Sequence, residues 1–183
     1  MFDTNGVHLD SVTVGAQPDM VAATAGGKRF VSANEGEPSD DGTVDPAGSV
    51  SVATMRNCDE LRVATIGFGG VPLIGDVRVF GPGATAATNL EPEYVSIAPG
   101  GATAQVTVQE ANAVATVDLA SATISSVRSL GYKNLGLAGN ALDPSDKDGG
   151  INIAPWSNVF GMYQPDAIAS YKLPGELEPR YIT

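Results

Sequence analysis

The feature that most limits what this chain can fold into is a long internal repeat. Gln17-Pro18-Asp19-Met20-Val21-Ala22 returns as Glu91-Pro92-Glu93-Tyr94-Val95-Ser96 and again as Gln164-Pro165-Asp166-Ala167-Ile168-Ala169, at spacings of 74 and 73 residues. Self-similarity at a fixed period means that one supersecondary unit is stacked on copies of itself, because a single unit cannot bury its own apolar face. Each copy opens a run that reads as a strand. In the first two copies a Gly-Gly turn follows, Gly26-Gly27 and Gly100-Gly101, and then a second strand; Pro174-Gly175 stands near the equivalent place in the third.

Runs rich in β-branched and small apolar residues predict four strands in the first copy, at Met20 to Thr24, Arg29 to Ala33, Ser49 to Thr54 and Arg62 to Phe68. The second copy predicts four more in the same order, at Tyr94 to Ala98, Ala104 to Gln109, Ala113 to Asp118 and Thr123 to Leu130. Four-stranded sheets repeated along a chain are the signature of propeller blades. The expectation is an all-β protein, a β-propeller fragment of about two and a half four-stranded blades, with blade one at about 17–68, blade two at about 91–130 and the start of blade three at 164–183. The rest of the period falls in two inserted loops, 69–90 and 131–163, and long insertions are where function concentrates. Blade three stops inside its second strand. Because a closed ring needs about four blades or more, the missing blades of a parent propeller are expected partners, and open blade edges invite association. Val7 to Val14 reads as an outer strand of a preceding blade.

Composition agrees with this reading: 22 Gly and 12 Pro punctuate many short apolar runs, and no helical periodicity is sustained. The 21 Asp and Glu outnumber the 10 Lys and Arg, for a formal charge of −11, so the average field repels phosphate backbones and nucleic acid is excluded as an expected partner. No run has the length of a membrane span, and Met1-Phe2-Asp3-Thr4-Asn5 lacks the basic start and apolar stretch of a signal peptide. For a secreted protein, the signal is then expected outside this chain. The single cysteine, Cys58, sits in Met55-Arg56-Asn57-Cys58-Asp59, which reads as a turn between strands and leaves no internal disulfide.

Three ordered polar motifs carry a resemblance. They are Val31-Ser32-Ala33-Asn34-Glu35-Gly36-Glu37-Pro38-Ser39-Asp40-Asp41, then 140–153 (Asn140-Ala141-Leu142-Asp143-Pro144-Ser145-Asp146-Lys147-Asp148-Gly149-Gly150-Ile151-Asn152-Ile153), then Phe160-Gly161-Met162-Tyr163-Gln164-Pro165-Asp166-Ala167-Ile168-Ala169-Ser170-Tyr171. Together, from about Gly15 onward, the chain resembles the choice-of-anchor I family. That resemblance implies a larger propeller related to surface proteins with YVTN-type repeats, exported to an extracellular, periplasmic or cell-surface location and attached by a C-terminal anchor that this chain does not contain. Some relatives carry alkaline phosphatase-like or phytase-like labels and others are described as cell-surface glycoproteins, so the family name does not settle an activity: the expectation is a calcium-supported binding or adhesion role at a cell surface, and the alternative a calcium-dependent phosphoesterase.

Two acidic segments are the candidate metal sites. Glu35, Glu37, Asp40, Asp41 and Asp45 crowd a segment broken by Gly36, Pro38 and Gly42, and flexible oxygen-rich loops of this kind hold hard cations such as calcium. The competing reading is a solvated acidic hairpin. In the second segment Asp143, Asp146 and Asp148 precede Gly149-Gly150, with Asn140 and Asn152 as neutral oxygen donors. It departs from an EF-hand, since no helices flank it and Ser157 stands where the closing Glu would be; a turn-rich insertion with Asx caps is the alternative.

Nucleophilic catalysis has little to work with: His8 is the only histidine, outside the repeats, and there is no Gly-x-Ser-x-Gly elbow. Phosphoester hydrolysis would therefore run through calcium and a metal-bound water, with Lys133, Lys147 and Arg128 as candidate anion contacts. Trp156 and Tyr163 in the second insertion are candidates for stacking on a sugar or peptide, or for plugging the loop onto the structure below. The expected ligand is a surface ligand or a small anionic substrate, contacted by Lys147, Asn152, Trp156 and Tyr163. The repeated Gln-Pro-Asp and Glu-Pro-Glu triplets read as structural, with proline fixing strand entry and Asp19, Glu93 or Asp166 capping a turn.

Overall fold

A computed structural model describes residues 1–56, 60–81 and 83–183. Strands β1 (Pro18–Ala23), β2 (Arg29–Asn34), β3 (Ser49–Met55) and β4 (Leu61–Gly67) form one antiparallel sheet in sequential order. After them come β5 (Leu73–Ile74), the short helix α1 (Ala86–Asn89), β6 (Pro92–Ile97), β7 (Thr103–Val108), β8 (Ala113–Asp118) and β9 (Thr123–Ser129). The second sheet is ordered β5-β9-β8-β7-β6. The third repeat forms a hairpin of β12 (Ala169–Tyr171) and β13 (Arg180–Ile182), and between the second and third repeats lie β10 (Lys133–Asn134), a 3-10 turn at Ala138–Asn140, and β11 (Phe160–Gly161). The architecture is all-β, with repeated blade-like antiparallel sheets and, among the described residues, no closed barrel.

Two of these elements correct the sequence reading. The second sheet has a fifth strand: β5, from within the 69–90 insertion, pairs in parallel with β9, Leu73 opposite Val127 and Ile74 opposite Arg128. Two residues are too few to announce themselves as a strand, and their partner lies far along the chain. Val7 to Val14 is not a strand; only an isolated bridge joins His8 to Phe2, whose ring meets the imidazole edge-on at 5.5 Å. Val12 and Val14 instead line an apolar hollow with Val21, Phe30 and Ala53 on a face of the first sheet. Cys58, with Asn57 and Asp59, lies outside the described residues.

The chain divides into two compact units, residues 1–129 with 164–183, and residues 130–163. In the first, alternate residues of each strand enter the core: Val31 and Ala33, Val50 and Val52, Ala104, Val106 and Val108, Ala113, Ala115 and Val117. Alanine and valine dominate, so the sheets pack closely, and each buried valine contributes about 1.5–3 kcal/mol of transfer free energy. Phe68 and Leu90, both fully buried, fill the ends. Strand β6 packs on β1 and β2, and β12 packs on β6, where Ser170 Oγ donates to the Ile97 carbonyl at 2.7 Å. The opening strands of the three repeats are thus neighbours.

The 130–163 unit holds itself together by different means. Its backbone is tied by Leu135 N–H to Val159 O (3.0 Å), Trp156 N–H to Leu135 O (2.8 Å) and reciprocal bonds between Leu142 and Ala154 (3.2 Å).

Candidate functional site

The same irregularity opens β1 and β6. Pro18 pairs with Asn34 and Pro92 with Val108; the register then shifts before Met20 and before Val95. A bulge leaves its extra residues out of the ladder and re-aims their side chains. Here the residues re-aimed are Asp19 in the first repeat and Glu93 with Tyr94 in the second. The backbone at the entry is unusual too: Gln17 and Gln164, the first residues of two triplets, have φ of 48° and 45°. A left-handed conformation costs a non-glycine residue roughly 1–2 kcal/mol, and strain of this sort collects where geometry matters more than stability.

Because the opening strands adjoin, the repeated carboxylates act on one another. Glu93 is 9% exposed, and its pKa is pushed up to about 8, first by burial and then by the negative charges of Glu110, Glu35, Asp166 and Asp19. Glu91 rises to about 7 through burial, then Glu110, Glu35, Glu37 and Asp45. Glu35 is raised by burial, then by Glu37, Asp19 and Glu110. Among the described residues no lysine or arginine pulls any of the three back down. Arg78 approaches Glu110, but its Nη1 donates to the Glu110 main-chain carbonyl (3.2 Å) while the guanidinium lies over the Phe80 ring at 3.4 Å. The ion pairs among the described residues, Glu60–Arg62 and Glu176–Arg180, include none of these carboxylates.

At the centre of the group, the Gln109 amide, with its oxygen and nitrogen assigned by the acceptors around it, turns its nitrogen to Glu93 Oε1 (2.9 Å) and Glu110 Oε1 (3.3 Å). Glu93 Oε2 and Glu110 Oε2 are buried and have no hydrogen-bond partner.

The residues singled out in sequence meet different fates in the two units. Glu35, Glu37 and Asp45 belong to it by their charge. Asp40 and Asp41 are exposed, and Asp41 is occupied: its Oδ1 accepts from Ser39 Oγ (2.8 Å), Thr43 N–H (3.1 Å) and Thr43 Oγ1 (2.8 Å), bonds that hold its carboxyl below the usual range. In the 130–163 unit, Asp143 spends both oxygens on backbone, accepting from Ser145 N–H (3.2 Å) and Asn152 N–H (2.8 Å). Asp146 and Asp148 are exposed, and Asp143, Ser145, Asp146 and Gly149-Gly150 line a shallow concavity. Lys147 is exposed, with its N–H on Ser145 Oγ at 3.1 Å; Trp156 is half-buried, its indole N–H donating to Leu142 O at 2.9 Å; Tyr163 is exposed. Among the described residues, no three His, Cys, Asp or Glu side chains already converge closely enough to hold a metal.

Sequence reasoning missed Glu91 and Glu110 and read Asp19, Glu93 and Asp166 as structural. The signal was the repeat itself: a carboxylate recurs after each entry proline, and adjacent opening strands must bring such residues together.

The fold and this site define an all-β protein of stacked blade-like sheets with an acidic strand-entry end. Among the described residues no helix is long and apolar enough to cross a membrane. Comparison with protein families matches the choice-of-anchor I domain over residues 1–177, so the chain belongs to the choice-of-anchor I family, and the match takes in the first fourteen residues as well. Membership points to a surface-associated protein. No curated protein matches the sequence.

Proposed function

We propose that this chain is an extracellular or cell-surface binding module of propeller type whose acidic end is supported by calcium. What carries the reading is the crowding of Glu35, Glu37, Asp45 and Glu91, whose mutual repulsion no lysine or arginine among the described residues offsets. Like charges held this close destabilise the fold unless a counter-charge arrives, and carboxylate oxygens suit a hard cation. The exposed members, Glu37 and Asp45, would hold the ion, with water completing its shell. Asp41 and Asp143 would first have to give up turn bonds. A calcium ion seated there also offers open positions to carboxylate or phosphate groups of a surface ligand, which the bare acidic end repels.

The test is a thermal melt with excess calcium and again with chelator, on the wild type and on the E37Q/D45N double variant. A calcium-dependent rise that the double variant diminishes supports the reading. Equal melting in all four conditions overturns it. Calcium-dependent turnover of an aryl phosphate by the wild type would assign the competing role, a phosphoesterase, to the same residues.

A further inference from the structure

We propose that Glu93 and Glu110 bind a hard divalent cation between their free carboxylate oxygens, at a position separate from the exposed Glu37 and Asp45. Glu93 is more than nine-tenths buried, and its Oε2 has no partner; Glu110 Oε2 is likewise buried and unmet. The other oxygen of each accepts from the one Gln109 amide, so the two carboxylates flank a single nitrogen with their remaining oxygens unused. Leaving a buried acceptor without a partner costs about 1–3 kcal/mol, more for a charged one. Two such atoms, on acids whose other oxygens meet the same Gln109 amide, are the complement of a cation.

The fold aims these groups rather than merely tolerating them. The register shift between Pro92 and Val95 puts Glu93 outside the β6–β7 ladder, and Tyr94 N–H is satisfied by Thr107 Oγ1 at 3.0 Å, which holds the bulge in place. Glu110 lies one residue beyond Gln109 in the turn between β7 and β8. Around the pair stand Asp19, Glu35 and Asp166, whose charges bear on Glu93, while the guanidinium of Arg78 is engaged with the main chain of Glu110. A single proton would quiet one carboxylate; a divalent ion answers both and the field around them. The donors are all carboxylate oxygen, which favours calcium, magnesium or manganese over metals that seek sulfur or imidazole. Two carboxylates with water completing the shell is a habit of the smaller of these ions. Such an ion would tie the entry of β6 to the β7–β8 turn.

The experiment is calorimetric titration of the whole chain with calcium, magnesium and manganese in turn, for the wild type, E93Q, E110Q and E37Q/D45N. One bound equivalent, present in the wild type and in E37Q/D45N, is expected to weaken by at least about tenfold in both E93Q and E110Q. In chelator, the same two variants melt at or above the wild-type temperature, because neutral glutamine relieves repulsion; a merely structural pair would lose stability. If E93Q does not fold, half-exposed E110Q carries the test alone. Unchanged affinity in E93Q and E110Q, or no binding of any of the three metals, overturns the inference. Loss of binding in E37Q/D45N alone overturns it while leaving the proposed function standing, whereas a calcium response undiminished in E37Q/D45N, with binding lost in E93Q and E110Q, supports it and overturns the proposed function.

Discussion

Asn34 and Glu93 are two buried polar side chains at the strand-entry ends of neighbouring sheets, and they are treated in opposite ways. Asn34 is fully buried and fully bonded: its Nδ2 donates to Ser49 O (3.2 Å), Ser49 Oγ (3.2 Å) and Ser51 Oγ (3.0 Å), and its Oδ1 accepts from Ser32 Oγ (2.9 Å). The packing is so close that a Cβ on Gly15 would lie 2.1 Å from Ser49 Oγ. Glu93 is nearly as buried, yet keeps one oxygen unmet and several negative charges for company. The first arrangement is what a fold does with a polar group it needs for its own stability. The second costs stability, and sites where stability is given up are where ligands act.

The largest effect should come from breaking the satisfied side. Asn34→Leu strands the Ser32, Ser49 and Ser51 hydroxyls and should cost about 3 kcal/mol, roughly 10 °C of melting temperature in a chain of this size, with or without calcium. Thermal denaturation followed by circular dichroism reads this directly.

Next comes pH. In the metal-free protein the folded-state values of Glu93 (about 8) and Glu91 (about 7) lie above that of an ordinary glutamate, so in the interval between, the folded chain holds protons that the unfolded chain has released. Stability therefore falls as pH rises through that window and is regained on acidification toward about pH 5. A melting temperature that climbs with pH in chelator would contradict the cluster's electrostatics.

A smaller change sharpens the contrast: E93Q should shrink that pH dependence to the part that Glu91 contributes. Asp41→Asn should do least. Its carboxylate is exposed and committed to Ser39 and Thr43, so global melting and the calcium response should both stay near wild type, while limited proteolysis detects a looser 39–44 turn.

Much of this was legible in the chain. The repeat, the Gly-Gly turns and runs of β-branched and small apolar residues placed the strands from β1 to β4 and from β6 to β9 within a residue or two, because each is bounded by local turn chemistry and pairs with its sequence neighbour. Strand β5 was not legible, since a two-residue parallel strand exists only by virtue of a partner more than fifty residues away. Val7 to Val14 had the apolar residues of a strand but no ladder to join.

The site was half legible for a related reason. Charge density drew attention to the 35–45 and 143–152 segments, yet whether a carboxylate is spent on a turn, as Asp41 and Asp143 are, depends on bonds that spacing does not reveal. Glu110 gave no local signal at all. Its significance comes from the bulge, the Gln109 amide and the stacking of opening strands.

The strand that the chain lends from one sheet to the next has a mechanical consequence. β5 runs parallel to β9, and Val127 N–H is fastened to Pro72 O at 2.9 Å. Tension applied between the end of β4 and the end of β9 pulls these two strands in opposite directions along their length, so the hydrogen bonds between them are loaded together in shear and do not open one by one like a zip. For a surface-associated protein, such a joint resists traction with very few bonds.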